Sequence, residues 1–366
     1  MKVALCVRPQ ALSHGTGTAV QLENTKKALE SNHGISVEIV TNYQRLRERD
    51  FDICHLFGIV FENASEFIQA AKKIRAKVAF STIFWNLGYT VAARSLLRLG
   101  ILDYSDLTIG ATMRFMKLRG RLTGSPHWFS QQFKRHLIEM ITNSDVLLPN
   151  SLEEAYHLSK FTGIAEETIR EKTHVVYNAA TALDDATIQE IENLPSDFVL
   201  QVASLEPHKN QHSLIRALSS DKQIPIVFVG TRGNPFYYDI LKKLADARGN
   251  VFFLDFLKQE ALGPLYSKAI LHALPSLRES PGLTSLEALR HGCRILVSDK
   301  RFCPIDTYFK DVATVVNPLD MKSIRKGILS EMETNRDRDS LKRHAAAFSW
   351  DIAAEQTYEA YLSIAA

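Results

Sequence analysis

Two glutamates eight residues apart, Glu279 and Glu287, are the pair whose spacing points most directly to chemistry. The surrounding sequence predicts an apolar strand at 270–274, a turn-rich loop, a helix at about 283–291 and a second apolar strand at 295–297. Glu279 then lies on the loop after a strand, and Glu287 lies one turn into the helix. Because open α/β sheets bind ligands at the carboxyl ends of their strands, both carboxylates are candidates for a binding site.

A structural explanation of the same residues stays open at this stage. Thr284 and Glu287 have the spacing of a capping box, in which the glutamate returns to the first backbone amide of the helix. Glu279 would then be an exposed loop carboxylate. Since short motifs often match by chance, the spacing alone does not decide between the two explanations.

A lysine and two glycines occupy comparable positions elsewhere in the chain. Lys209 follows a predicted strand at 198–203 and directly precedes a helix, whose dipole would help its ammonium group to bind an anion. Gly15 and Gly17 lie between the first predicted strand and the first helix. Glycines there let the backbone approach a ligand closely and leave amides for an anion, although an ordinary tight turn explains them equally well.

The stretch 271–299 resembles the E-x7-E signature of the retaining glycosyltransferases of family GT4, which have the GT-B fold. The matching positions are Glu279, Gly282, Leu283, Leu286, Glu287, Ala288 and Gly292. Ser280 and Pro281 stand where the family usually has a glycine and an aromatic residue. The resemblance extends from the Gly15 loop to the segment FSWDIAAEQTYEAYL, which is similar to the terminal helix of the family.

The resemblance implies that the second half of the chain binds a nucleotide diphosphate sugar, either a UDP-sugar or a GDP-sugar. Lys209 and the backbone amides of residues 282–284 would stabilise the leaving diphosphate. Glu287 would accept hydroxyl groups of the ribose, and Glu279 would hold the transferred sugar. No further cofactor is implied.

The expected phosphate-binding segment departs from the family pattern G-R-L-x-P-x-K-N at its first two positions. The retained residues are Leu205, Pro207, Lys209 and Asn210. Ser204 replaces the arginine, and a serine supplies neither the charge nor the bidentate geometry of a guanidinium group. Either Lys209 binds the phosphates largely alone or a neighbour compensates. The candidates for compensation are His208, Arg232 and Arg278.

Other contacts are implied by position within the family pattern. The remaining predicted donor contacts are Gly15, Gly17, Ser204, Asn210, Gly230, Phe256 and Leu257. Many relatives have a histidine after the strand at 78–81 that contacts the donor sugar. Here Trp85 occupies that neighbourhood and is a candidate for stacking on a sugar face, while His55 and His127 are alternative histidines.

Length and composition predict two globular domains in a reducing compartment. A chain of 366 residues with 45% hydrophobic residues exceeds what one core usually serves. A net charge of +3 does not indicate a nucleic-acid partner. The four cysteines are far apart and form no C-x-x-C pair, which favours buried thiols and a cytoplasmic location. We expect the start MKVALCVRPQ to be a strand rather than a signal peptide.

Alternating strands and helices predict an α/β fold with parallel, doubly wound sheets, and the resemblance to family GT4 implies two such Rossmann-like domains facing a cleft. The expected boundaries are an acceptor-binding domain at 1–180, a linker at 181–196, a nucleotide-sugar-binding domain at 197–347 and a helix at 348–366 that packs back on the first domain. Asp50 and Asp52 have the D-x-D form that a different glycosyltransferase fold uses for metal. Because Asp52 runs directly into an apolar strand, we predict no metal site.

The segment 105–135 carries six Lys or Arg residues against a single Asp. The interleaved apolar residues are Phe115, Met116, Leu118, Trp128, Phe129 and Phe133. Such a pattern fits contact with an anionic membrane surface at the inner face of the membrane, or with a phosphorylated acceptor. A solvated basic face over buried aromatic residues fits it as well.

The sequence therefore predicts a retaining transferase that moves a sugar from a nucleotide diphosphate sugar to a hydroxyl of a glycan or lipid-linked acceptor, in the synthesis of a surface glycan. Two alternatives stay open. A GT-B nucleotide-sugar epimerase would need no acceptor, and a non-catalytic homologue would bind the nucleotide sugar without turnover. The absent arginine and histidine favour the second alternative, whereas Glu279, Lys209 and Glu287 argue against it.

Overall fold

The computed structural model describes residues 1–12, 17–58, 63–125, 127–181 and 194–365. Its strands are β1 (Lys2–Cys6), β2 (Ser36–Val40), β3 (Ile53–Phe57), β4 (Lys77–Ser81), β5 (Val146–Leu147), β6 (Val199–Val202), β7 (Ile226–Val229), β8 (Val251–Leu254), β9 (Leu271–Leu274), β10 (Ile295–Ser298) and β11 (Ala313–Val316). Its helices are α1 (Gly17–His33), α2 (Ala64–Lys73), α3 (Gly88–Arg98), α4 (Asp106–Thr123), α5 (Gln131–Asn143), α6 (Leu152–Thr162), α7 (Glu166–Glu171), α8 (Gln211–Ala217), α9 (Pro235–Arg248), α10 (Gly263–Lys268), α11 (Leu283–Arg290), α12 (Ile305–Tyr308), α13 (Met321–Glu333), α14 (Arg338–Ala346) and α15 (Trp350–Ala365).

The first five strands form one parallel sheet in the order β2-β1-β3-β4-β5. Strand β3 is buried at all five positions, as expected for a strand covered by helices on both faces. The strand order reverses between β1 and β3, which is the arrangement of a doubly wound sheet.

The remaining six strands form a second parallel sheet in the order β11-β10-β9-β6-β7-β8. Numbered within this sheet alone, the order is 6-5-4-1-2-3, the arrangement of dinucleotide-binding Rossmann domains. The reversal lies between β6 and β9. The predicted α/β fold with two Rossmann-like sheets is confirmed.

The chain divides into two compact units with interrupted boundaries. The first comprises Met1–Trp85, Ser130–Ala179 and Phe348–Ala366, and the second comprises Asn86–Phe129 and Ala180–Ala347. The sequence-based boundaries put 86–129 in the first domain, whereas this segment groups with the second sheet. Long-range contacts hold it there: Arg301 is paired with Asp106 at 2.6 Å, and Arg216 Nη1 donates to the Leu102 carbonyl at 2.8 Å.

The terminal helix α15 belongs to the first unit, where it packs against α1. The Tyr361 hydroxyl lies 2.6 Å from His55 Nδ1, and His55 Nε2 lies 2.8 Å from the Ser81 hydroxyl. Burial lowers the pKa of His55 to about 3, so the imidazole is neutral at pH 7. His55 thus links the helix to the sheet. Across the described ranges, no helix combines the length and apolar character needed to cross a bilayer.

Candidate functional site

The predicted catalytic residues come from the two loops at the strand-order reversal of the second sheet. Lys209 ends a short 3-10 turn after β6, and Glu279 lies on the loop after β9. The Leu277 amide donates to the His208 carbonyl at 2.7 Å, which fixes one loop against the other. Ligands of doubly wound sheets bind at such a reversal, so the topology supports a site here.

Lys209 and Glu279 form a buried ion pair. Lys209 Nζ lies 2.6 Å from Glu279 Oε1, and the side chains are 19% and 8% exposed. Burial alone would raise the pKa of Glu279, but the ammonium of Lys209 outweighs it and holds the pKa below its usual value. Glu279 is therefore ionised at pH 7, and its negative charge is held in place.

Helix α11 begins beside this pair at Gly282, which has a φ of 99°. A β-carbon at Gly282 would lie 3.4 Å from Glu279 Oε2, so the start of the helix and the carboxylate are neighbours. Gly282 is the N-cap and no side chain caps the helix, which rules out a capping box formed by Thr284 and Glu287. Leu283 and Thr284 are the first two residues of this helix, directly after Gly282.

Glu287 is held by residues from the segment after β8. Its Oε1 accepts from Gln259 Nε2 at 2.6 Å, and its Oε2 accepts from the Tyr266 hydroxyl at 3.0 Å. Burial raises the pKa of Glu287, and the two hydrogen bonds oppose that rise. Each carboxylate oxygen keeps a second lone pair, so the group can still accept a ligand hydroxyl.

Asn210 acts on the site through the loops it holds. Its side-chain amide donates to the carbonyls of Pro275 at 3.0 Å and Pro318 at 2.9 Å, and the side chain is fully buried. Its φ of 63° lies in the left-handed region, which asparagine tolerates better than most residues. Glu279 is fixed further by its backbone amide, which donates to the Phe302 carbonyl at 2.7 Å.

A second charged group lies on the same loops, around Glu206. Glu206 Oε2 accepts from Arg94 Nη2 at 2.5 Å and lies 3.4 Å from His208 Nδ1. His208 and then Arg94 lower the pKa of Glu206 to about 2. Burial lowers the pKa of His208 to about 4, so this histidine is neutral at pH 7 and carries no charge for a phosphate.

The two arginines proposed as candidates for the place of the absent family arginine, Arg232 and Arg278, differ in their surroundings. Arg232 is 54% exposed, is paired with Asp255 at 3.1 Å and lies over the Tyr238 ring. Arg278 is half-buried, and its Nε is buried without a hydrogen-bond partner among the described residues. Burial lowers the pKa of Arg278 while the charge of Glu279 raises it, so this guanidinium lies within electrostatic reach of the ion pair.

The remaining predicted donor contacts are spread over several loops. Gly230 directly follows β7 and has a φ of 152°, and a β-carbon there would lie 2.1 Å from the Ala203 carbonyl oxygen, so this close backbone approach already requires glycine. Ser204 is half-buried and its carbonyl accepts from Gln211 at 2.9 Å. Phe256 is 51% exposed, and Leu257 beside it is half-buried. Gly17 is exposed at the start of α1, and Gly15 lies outside the described residues.

The two candidate sugar-contact residues, Trp85 and His127, lie in different units. Trp85 is 1% exposed, and its ring lies 4.3 Å from the His157 ring, so the protein itself covers the indole. Stacking on a sugar would require the surrounding side chains to move. His127 is exposed at the start of a 3-10 turn and packs edge-on against Trp128.

Within the described ranges, no group of three or more His, Cys, Asp or Glu side chains is arranged to hold a metal ion. Asp52 of the D-x-D triplet accepts from the Lys2 amide at 2.6 Å, at the start of β1. The absence of a metal from the reaction stays a prediction.

The residues that support this site were not predicted from the sequence. Gln259 and Tyr266 act on Glu287 from 28 and 21 residues away, and Arg94 reaches Glu206 across 112 residues. Tyr266 lies in the segment that the family pattern places before the glutamate strand, which is a weak indication of its position. Nothing in the sequence around Arg94 indicated its contact with Glu206.

Comparison with known proteins identifies relatives of this chain among glycosyltransferases. The family model for glycosyl transferases group 1 matches residues 184–348. The chain is 27% identical over 259 residues to the serotype-specific mannosyltransferase WbdA of Escherichia coli, which covers 66% of this chain and 31% of that protein. It is 31% identical over 164 residues to the O-antigen chain mannosyltransferase RfbU of Salmonella typhimurium, a match that covers 43% of this chain and 44% of that protein. The chain thus spans about a third of the length of the WbdA relatives.

Solved structures share the fold over the whole chain. Sucrose-phosphate synthase from Thermosynechococcus elongatus superposes with a TM-score of 0.73 at 14% identity, covering 100% of this chain and 99% of that one. The Anabaena protein HepE, solved in complex with UDP and glucose, gives a TM-score of 0.68 at 17% identity, with both chains fully covered. Residues 184–348 thus match the group 1 glycosyl transferases, and the chain as a whole has the two-sheet fold of GT-B glycosyltransferases.

Proposed function

We propose that the protein transfers a hexose from a nucleotide diphosphate sugar to a hydroxyl of a glycan or lipid-linked acceptor, with retention at the anomeric carbon, in the synthesis of a surface polysaccharide. The observation that carries this proposal is the buried Lys209–Glu279 ion pair at the strand-order reversal of the second sheet. The O-antigen mannosyltransferases among the relatives make mannose the first sugar to test, with GDP-mannose as its donor.

The chemistry follows from where charge develops. As the bond to the anomeric carbon breaks, the leaving diphosphate gains negative charge and the sugar ring gains positive charge. Lys209 and the start of α11 would stabilise the diphosphate, each fixed donor contributing ~3 kcal/mol in the transition state. Glu279, ionised beside them, would favour the positive charge on the ring and accept sugar hydroxyls.

Arg278 is the residue we assign to the place of the absent family arginine. His208 is neutral at pH 7, and Arg232 is already engaged by Asp255. Arg278 has a buried Nε without a partner in the described part of the chain, and it lies within electrostatic reach of Glu279. A buried donor of this kind is costly unless a ligand satisfies it, and a phosphate oxygen would do so.

The test measures turnover over a panel of UDP-sugars and GDP-sugars with oligosaccharide and lipid-linked acceptors. We expect one donor to release its nucleotide diphosphate only when an acceptor is present, and the product to keep the anomeric configuration of the donor by NMR. Glu279→Ala should lower that rate at least ~10²-fold. Glu260→Ala, at an exposed glutamate of the same unit, is the matched control.

Three other outcomes would overturn parts of the proposal. Donor binding by calorimetry without diphosphate release would indicate a binding protein. Interconversion of two nucleotide sugars in the absence of any acceptor would indicate an epimerase. An inverted product would leave the transferase in place but remove the retaining mechanism.

A further inference from the structure

Helix α4 carries two apolar stripes on opposite sides. With 3.6 residues per turn, Ile109, Met113, Met116 and Gly120 fall on one face. This inner face is packed: Ile109 and Gly120 are buried, and a β-carbon at Gly120 would lie 2.5 Å from Phe129 Cβ. The stripe accounts for how the helix is attached to the second unit.

The outer stripe lies about half a turn away, and its large side chains are exposed. Its large residues are Leu107 (82% exposed), Phe115 (61%), Leu118 (58%) and Leu122 (77%). Four large apolar side chains aligned on the solvent side of one helix form a surface that normally marks an interaction site.

Basic residues flank this outer stripe on both sides. In helical projection, Arg119 lies on one edge, and Arg114, Lys117 and Arg121 lie on the other. All four are exposed, and none forms an ion pair or side-chain hydrogen bond with a described residue. Residues 107–125 contain no Asp or Glu, so the surface carries four uncompensated positive charges.

We propose that the outer face of α4 is a docking surface for an anionic phospholipid bilayer, with the helix lying in the plane of the interface. An apolar stripe bordered by Lys and Arg is the pattern of helices that insert shallowly among lipid headgroups. The leucines and the phenylalanine would enter the acyl boundary while the basic side chains contact anionic headgroups. Charge complementarity selects an anionic membrane over a neutral one.

The structure also shows that only part of the segment 105–135 forms an exposed apolar surface. Phe133 is buried in the first unit, Trp128 and Phe129 are half-buried, and Met116 lies on the inner face of α4. Only Phe115 and Leu118 of the six interleaved apolar residues are exposed on α4, joined there by Leu107 and Leu122. The surface is therefore a single helix face rather than the whole stretch 105–135.

Vesicle flotation of the full chain tests the proposal without donor or acceptor, so its result is independent of the transfer reaction. We expect the protein to float with phosphatidylcholine vesicles containing 30% phosphatidylglycerol at low salt and to stay behind with pure phosphatidylcholine. The double variant Leu118→Glu/Leu122→Glu should lower the bound fraction at least ~10-fold, because binding scales with the buried apolar area. Arg114→Gln/Arg121→Gln should lower it ~10-fold as well, since each cation near an anionic surface contributes severalfold.

The control is Leu362→Glu, which makes one Leu→Glu change, half the added charge of the double variant, at an exposed leucine (49%) of α15 and should leave flotation unchanged. All variants change exposed side chains, so their melting temperatures should match that of the parent. Failure of the parent protein to float with the anionic vesicles would overturn the proposal. An equal loss of the vesicle-bound fraction in the Leu362→Glu variant would also overturn the proposal. A dimer that Leu118→Glu/Leu122→Glu dissociates, without vesicle binding, would assign the face to a second copy of the chain.

Discussion

Replacing Lys209 with methionine removes the ammonium group from a buried ion pair and leaves Glu279 as an uncompensated charge. The carboxylate is 8% exposed and its partner 19%, so both groups are largely removed from water. Breaking such a pair from one side costs ~3–5 kcal/mol, and the residual exposure of Lys209 favours the lower end. For a unit of about 200 residues, ~3 kcal/mol corresponds to a melting temperature ~6–12 °C lower.

The pH dependence of this loss gives a second, sharper measure. In the parent, the pKa of Glu279 is lower in the folded state than the ordinary value of 4.5, so the pair adds stability above pH 4.5 and loses it as the pH falls through the folded pKa. Without the ammonium, burial raises the folded pKa above 4.5. The variant then loses stability as the pH rises, so the difference in melting temperature should be small at pH 4 and largest near pH 8.

The double variant Lys209→Met/Glu279→Gln separates stability from catalysis. Replacing both partners by neutral groups of similar size should restore stability to within ~1 kcal/mol of the parent, since no buried charge remains. The turnover rate should stay at least ~10²-fold below the parent in both Lys209→Met and the double variant, because the transition-state contacts are still missing.

Scanning fluorimetry from pH 4 to pH 8 measures the effect of the ion pair on stability, and the diphosphate-release assay measures its effect on catalysis. A pH-independent loss of less than ~1 kcal/mol in Lys209→Met would refute the buried pair as an electrostatic unit. If activity returned in the double variant along with stability, the pair would be structural and the assignment of Lys209 and Glu279 to catalysis would fall.

Further predictions concern single positions. Arg278→Met should lower the diphosphate-release rate ~10²-fold, whereas Arg232→Met at an exposed guanidinium should change it less than ~3-fold; equal effects would contradict the assignment of Arg278. Gly230→Ala places a methyl group 2.1 Å from the Ala203 carbonyl oxygen and should cost more than ~3 kcal/mol in urea unfolding, and an unchanged midpoint would show that β7 can shift. Because the pKa of His55 is about 3 when folded and 6.5 when unfolded, stability should fall as the pH drops below 6.5; His55→Gln should flatten this slope, and an unaltered slope would place the effect elsewhere.

Much of the architecture was predictable because local sequence patterns indicate the strands and helices. Short apolar runs alternating with helical segments identified both sheets, and the spacing of Lys209, Glu279 and Glu287 within the family pattern located the loops of the second sheet. Burial on both faces makes parallel strands apolar, and this is visible in the sequence without any partner.

The rest depended on contacts between residues far apart in the chain. The grouping of 86–129 with the second unit depends on pairs such as Arg301 with Asp106, which no local pattern reveals. Glu287 forms no capping box with Thr284; its carboxylate is instead held by Gln259 and Tyr266, which lie before it on other elements. Neither apolar spacing nor propensity contains that information.

The return of α15 to the first unit sets the order in which the protein can be completed during synthesis. Ala353, Ala354 and Tyr361 of this helix are part of the hydrophobic core around β1 and β3, yet the ribosome makes them after the entire second sheet. Domains usually fold as they emerge, N-terminal first. The sheet of the first unit therefore keeps an uncovered side until α15 has been made, so a nascent chain halted near residue 180 would expose the apolar surface that α15 covers.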